Sequence, residues 1–146
     1  MTEIGFYHLT RTGAEDALPQ LLNRTLAAGQ RAVVRSPSAE RIAALDAALW
    51  ESKDFLPHGT ETDGDAAIQP IWLTAGNDTP NRAKFLFLLD GAAEADLTAF
   101  DRVFDLFDGN DEAQVQAARK RWSAAKSAGH TLAYWQQGER GWEKKA

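Results

Sequence analysis

The chain has 146 residues, with 44% hydrophobic residues, 25% charged residues and no cysteine. That composition fits one globular domain with a real core, excludes disulfides and thiolate metal sites, and is compatible with a reducing cytosol. The balance of 16 Lys and Arg against 21 Asp and Glu, a net charge of −5, argues against broad nonspecific binding to nucleic acid, since phosphate contacts need many cations.

The first ten residues, MTEIGFYHLT, have neither the basic region nor the long apolar stretch of a secretory signal. Residues 4–9 are a short, aromatic, β-prone run that reads as a first strand. Leu18, Leu21, Leu22, Thr25 and Leu26 then recur at helical spacing up to Gly29. Pro19 is tolerated in the first turn of a helix, which predicts a start near residues 15–18. Residues 31–35, RAVVR, read as the second strand. Ser36-Pro37-Ser38 offers a capping hydroxyl and a proline suited to the first helical position. Ile42, Leu45 and Leu49 form the inward stripe of the next helix, with Trp50 at its end. Strand, helix, strand, helix is the start of a layered α/β domain.

From Glu51 the pattern loosens. Phe55-Leu56-Pro57-His58-Gly59 is an apolar patch that leads into the acidic loop 60–65. Residues 68–74 read as a strand entered after Pro70. Residues 84–90, KFLFLLD, are apolar on both faces, as a central strand requires, and at five residues their apolar run 85–89 is far too short to cross a membrane. Residues 100–107 read as a strand, with a helix over 94–107 as the competing assignment. Residues 130–136, HTLAYWQ, read as a final strand, and 137–146 as a loose polar tail outside the 1–136 domain.

Between the last two strands, residues 115–129 (VQAARKRWSAAKSAG) contradict the acidic chain around them. Arg119, Lys120, Arg121 and Lys126 fall here with no acid, directly after a strongly acidic stretch over 90–112. The run predicts a helix that Asn110 or Asp111 caps and Gly129 stops. At about 100° per residue, Ala117, Ala118, Ala124, Ala125 and Ala128 share one arc, the expected packing face. Arg119 and Lys126 lie together on another side, with Val115 and Trp122 between them and that arc. Arg121 falls inside the alanine arc, where it must snorkel to solvent or meet an acid. Two readings remain open from the residues alone: a solvated face whose cations favour the helix dipole, or a basic strip with an aromatic border suited to an acidic partner.

Catalytic and cofactor signals are weak. No GxxxxGK[ST] or GxGxxG occurs, so neither common phosphate cradle is encoded. His8, His58 and His130 lack ligand spacing, and no nucleophile elbow or acid/base pair stands out. No cofactor, metal or catalytic residue is therefore expected. Trp72 and Trp135 fall in strands and read as core. Trp50 and Trp122 sit near helix ends, as packing plugs or as interface anchors.

Six collinear segments carry a resemblance: FYHLT (6–10), LAAGQRAVVR (26–35), LDAALW (45–50), FLPHG (55–59), QPIWLT (69–74) and AARKRW (117–122), the last with its following Ala128-Gly129. Together they resemble the chi subunit family of bacterial DNA polymerase III over about residues 4–136. The resemblance implies a three-layer α/β/α fold with a mostly parallel or mixed sheet, similar to nucleotide-binding folds but without their phosphate loop. It implies a noncatalytic, cytoplasmic accessory subunit of the clamp-loader complex, with no direct contact to nucleic acid and no membrane. Its implied partners are the psi subunit and the acidic, phenylalanine-terminated tail of the single-stranded DNA-binding protein. By the same resemblance, Arg119 matches the key arginine of the tail site, Trp122 the aromatic three residues on, and Trp50 the tryptophan that ends the second helix. The tail's phenylalanine would enter a pocket near Trp122 and Trp50. Ser123 stands where a well-known member has lysine, leaving Lys120 or Lys126 to supply that charge, and Val115 borders the strip. Phe55, with Leu56 beside it, matches a psi-binding position. The alternatives are a small α/β nucleotide-binding protein or enzyme without a standard motif, and direct single-stranded DNA binding through the basic helix.

Overall fold

The computed structural model describes residues 2–53, 56–92 and 97–146. Among these, seven strands form one mixed sheet: β1 (Glu3–Leu9), β2 (Ala32–Arg35), β3 (Ile71–Thr74), β4 (Phe85–Leu89), β5 (Arg102–Asp108), β6 (Thr131–Gly138) and β7 (Gly141–Lys144). Helices α1 (Ala14–Ala27), α2 (Ala39–Glu51) and α3 (Glu112–Ser127) cover it. The strand order is β3-β2-β4-β5-β1-β6-β7. Every neighbouring pair is parallel except β6 with β7.

The direction of each crossover decides which face its helix covers. From β1 to β2 and from β2 to β3 the chain moves toward the β3 edge, whereas from β5 to β6 it moves the other way. Right-handed crossovers therefore put α1 and α2 on one face and α3 on the other. The core divides accordingly. Tyr7, Leu9, Val34, Phe87, Leu89 and Phe104 pack with Leu18, Leu22, Leu45 and Leu49 of α1 and α2. On the opposite face Ile4, Phe6, Val33, Trp72, Leu86, Leu88 and Phe107 pack with Val115, Ala118 and Ala125 of α3. Alternation along each strand produces this split, and β4 is apolar on both sides because both sides are covered. The expected α/β class with a sheet between helical layers is what the chain builds.

Local expectations fare unevenly. Residues 102–108 are a strand, not part of a helix. Helix α1 starts at Ala14, so Pro19 lies inside it and not in its first turn. Pro37 precedes the α2 cap and is not the first helical residue; Ser38 caps by accepting from the Arg41 N–H at 3.2 Å. Gly29 (φ 75°) and Gly129 (φ 85°) stop α1 and α3 in the left-handed conformation that glycine adopts without strain.

The loose tail is the larger correction. Residues 141–144 are β7, with Trp142 opposite Gln137 in register. The Trp142 ring meets Tyr7 edge-on, 5.0 Å between centroids. Gln137 Oε1 accepts from the N–H groups of Thr10, Arg11 and Thr12, tying the loop after β1 to the hairpin. Polar composition concealed a strand whose one apolar residue is a tryptophan. At the opposite edge, Gly59 bridges Trp72 in parallel fashion and extends the sheet beyond β3.

Candidate functional site

Helix α3 is the element around which a site forms. Asp111 caps it, its side chain accepting from the N–H groups of Ala113 (3.0 Å) and Gln114 (3.4 Å). Its buried contacts are Val115, Ala118 and Ala125, with Trp122 partly buried against them. The expected packing arc is thus corrected, because Ala117, Ala124 and Ala128 are exposed. Alanines carry little apolar area, so the larger Val115 and Trp122 set the helix's rotation.

That rotation separates the four cations. Arg121 turns toward β5, where its Nε and Nη2 donate to the two carboxylate oxygens of Asp105 at 2.6 and 2.9 Å. This is the acid the sequence required it to meet. Asp105 is 4% exposed, and burial raises its pKa against the hydrogen bonds and charge of Arg121. The charge of Arg121 is therefore spent inside the fold. Arg119, Lys120 and Lys126 are exposed, and no ion pair among the described residues engages them. Two residues apart on a helix, Arg119 and Arg121 point to nearly opposite sides.

On the Arg119 side, aromatic rings fill the space between α3 and the sheet. Trp122 meets Phe6 edge-on at 5.3 Å and Tyr134 of β6 at 5.9 Å. Tyr134 also packs against Phe107 at 6.2 Å, and its hydroxyl lies 2.5 Å from His8 Nδ1. Burial raises the Tyr134 pKa while the positive charge of Arg119 pulls it down, so the phenol stays protonated at neutral pH with the guanidinium nearby. Val115 is 8% exposed and forms part of the floor under this strip. The arrangement joins half-buried aromatic edges to unpaired cations, a surface fitted to an anionic chain with an apolar group.

Trp50 does not belong to it. It ends α2 in the layer on the other face of the sheet, is 64% exposed, and lies over the His58 ring at 4.4 Å. A single pocket lined by both Trp122 and Trp50 is therefore not what this fold builds. His58 is buried; its Nε2 lies 2.8 Å from Asp46 Oδ1 and its Nδ1 2.7 Å from the Leu56 carbonyl. Leu56, expected at a partner surface, is 3% exposed and packs in the core of the α1/α2 face. Phe55 lies outside the described residues. Sequence reasoning passed over Tyr134 and His8 as site residues. Period-two alternation puts Tyr134 on one face with Leu132, but only the β1–β6 pairing brings His8 to it.

Two cavities compete for attention. One of about 390 Å³ opens at the carboxyl ends of β1 and β5, where the crossover direction reverses. Ligands of open α/β sheets favour that place. Its Arg41, however, is paired with Glu15 at 3.1 Å and Asp90 at 3.2 Å, and Asp108 adds further negative charge, a lining unlike a phosphate site. The other, of about 350 Å³, lies on the Arg121 side of α3 between Ile4, Phe6, Leu88 and Ala124. Among the described residues no helix is long and apolar enough to cross a membrane, and no cluster of three or more His, Asp or Glu could hold a metal ion.

A mostly parallel α/β sheet with a basic helix on one face defines a layered α/β scaffold that presents a charged helical surface. Comparison with known families makes this particular: residues 1–133 match the family described as DNA polymerase III chi subunit, HolC, and the chain belongs to that family of replication accessory subunits. It is also similar to the probable DNA polymerase III subunit chi of Rickettsia prowazekii (strain Madrid E), with 26% identity over 91 residues. That match covers 61% of this chain and 55% of the relative, so the chain spans little over half the length of the curated relative it matches.

Proposed function

We propose that this chain is a noncatalytic, cytoplasmic adaptor of the clamp-loader complex. In this reading α3 binds the acidic C-terminal tail of the single-stranded DNA-binding protein, and a separate surface pairs with the psi subunit. One observation carries the tail site: Arg119 and Lys126, on the same side of α3 as the half-buried Trp122, have no ion-pair partner among the described residues, and Lys120 adds a further exposed cation on the helix. Arg119 is the group for a carboxylate, because a guanidinium pairs with it through two parallel hydrogen bonds. Lys126 and Lys120 attract the tail's acids over a longer range, an effect that salt screens. Trp122, floored by Val115, receives the phenylalanine. Family resemblance assigns psi binding to Phe55. The exposed Trp50 at the end of α2 is a further apolar group offered to psi in this reading, whereas Leu56 is buried in the core of the α1/α2 face.

Fluorescence anisotropy with a labelled acidic peptide ending in Pro-Phe tests the reading. Saturable binding is expected, with Arg119→Ala and Trp122→Ala each weakening it by on the order of 2 kcal/mol, about thirtyfold. Absence of wild-type binding at hundreds of micromolar, a limit of about −5 kcal/mol, would sink it.

A further inference from the structure

The side of α3 that carries Arg119 holds one more polar group whose position the family resemblance does not explain. Tyr134 rises from β6 between Trp122 and Phe107, and its hydroxyl lies 2.5 Å from His8 Nδ1. His8 in turn has little room to move. Its ring packs on Phe107 at 5.1 Å, and a Cβ placed on Gly109 would collide with its Cδ2. The backbone of 109 is fixed as well, its N–H donating to the Leu9 carbonyl at 2.7 Å. The phenol oxygen is thus a preorganised atom with His8 as its side-chain partner among the described residues. The Tyr134 ring packs against Trp122, one turn of α3 from Arg119, which makes no ion pair among those residues.

We infer that Tyr134, oriented by His8, is a second anchor for the terminal carboxylate of a peptide held by Arg119. This rests on the tail-binding reading above and deepens it by adding a side chain of β6, set by one of β1, to the guanidinium that holds the peptide's carboxylate. The hydrogen-bond logic is specific. A carboxylate only accepts, so Tyr134 must donate to it, and it can do so only if His8 Nδ1 carries a hydrogen and donates to the phenol oxygen. His8 is then a positioning residue that turns the tyrosine proton outward. Of the other charged groups near Tyr134, Glu143 and Lys145 at the adjacent β7 edge pair with each other at 3.2 Å, the C-terminal Ala146 accepts from the Tyr134 backbone N–H at 3.2 Å, and Arg121 is bound to Asp105.

The test is a titration of the full chain with two peptides of one sequence, acidic and Phe-ended, one with a free carboxylate and one amidated. Tyr134→Phe keeps the ring and removes the hydroxyl. It is expected to weaken the free-carboxylate peptide three- to tenfold while leaving the weaker binding of the amide unchanged. His8→Leu is expected to do the same, and His8→Asn, whose amide can donate from near the Nδ1 position, to restore most of the affinity. Thermal melts show that each variant is folded. Tyr134→Phe binding as tightly as wild type, with Arg119→Ala still defective, would overturn the tyrosine anchor alone. Equal weakening of both peptides would also overturn it. Wild type binding neither peptide would overturn this inference and the tail-binding reading together.

Discussion

Arg121 and Arg119 stand two positions apart and have opposite fates. Arg121 lies 2.6 Å from a carboxylate that is almost fully buried, and removing it would leave Asp105 as an unpaired buried charge. Breaking such a pair costs about 3 kcal/mol or more. Arg121→Leu is therefore expected to lower stability by about that much at neutral pH in urea denaturation. The sign of the pH dependence follows from the raised pKa of Asp105. A carboxyl whose folded pKa lies above its unfolded value contributes stability below the unfolded pKa and loses it as pH rises through the folded one. Without Arg121 that loss deepens, so the gap between variant and wild type is expected to narrow as pH falls toward 4. A gap independent of pH would contradict the assignment. Arg119→Ala breaks no ion pair among the described residues and is expected to leave the melting temperature within about 2 °C of wild type, consistent with surface substitutions within about 0.5 kcal/mol.

Helices and strands were legible to the extent that their signals are local. The leucine spacing in α1, the Ser38 cap of α2 and the glycine stops of α1 and α3 are written in neighbouring residues. The rotation of α3 was not. Counting alanines as a face gave each small residue equal weight, whereas burial follows area, and Val115 and Trp122 decide it. Nor was β7 legible, because only its pairing with β6 makes Gly141–Lys144 a strand. Two element-level outcomes follow. Asp111→Ala removes the side chain that caps α3 and is expected to cost about 1 kcal/mol in chemical denaturation. Trp142→Ala removes a half-buried ring from Tyr7 and is expected to cost about 2 kcal/mol, less than a fully buried tryptophan. No change in stability for Trp142→Ala would mean that the hairpin does not hold the sheet edge.

Across the whole molecule, the reversal of crossover direction between β2–β3 and β5–β6 decides which helices share a face. It isolates α3 on its own face, with Trp50 and the buried Leu56 on the other. The proposed adaptor role calls for two surfaces that do not compete, and this topology has two helical layers separated by a sheet. The sequence contained Trp50 and Trp122 but not their separation, which depends on strand order and therefore on contacts distant in the chain. For that reason Trp50 and Trp122 read as one site in the sequence and lie on opposite faces in the fold. Peptide binding at α3 is accordingly expected to be unaffected by Trp50→Ala.

The most direct measurement follows the five tryptophan indole N–H signals and the backbone amides by NMR during titration with the acidic, Phe-ended peptide. Saturable shifts are expected at the Trp122 indole and at amides of α3 and β6 around Arg119 and Tyr134, with the Trp50 indole unmoved. Shifts centred on Trp50, or on the cavity beside Arg121 and Ala124, would contradict the site, and no shifts at saturating peptide would contradict the adaptor role itself.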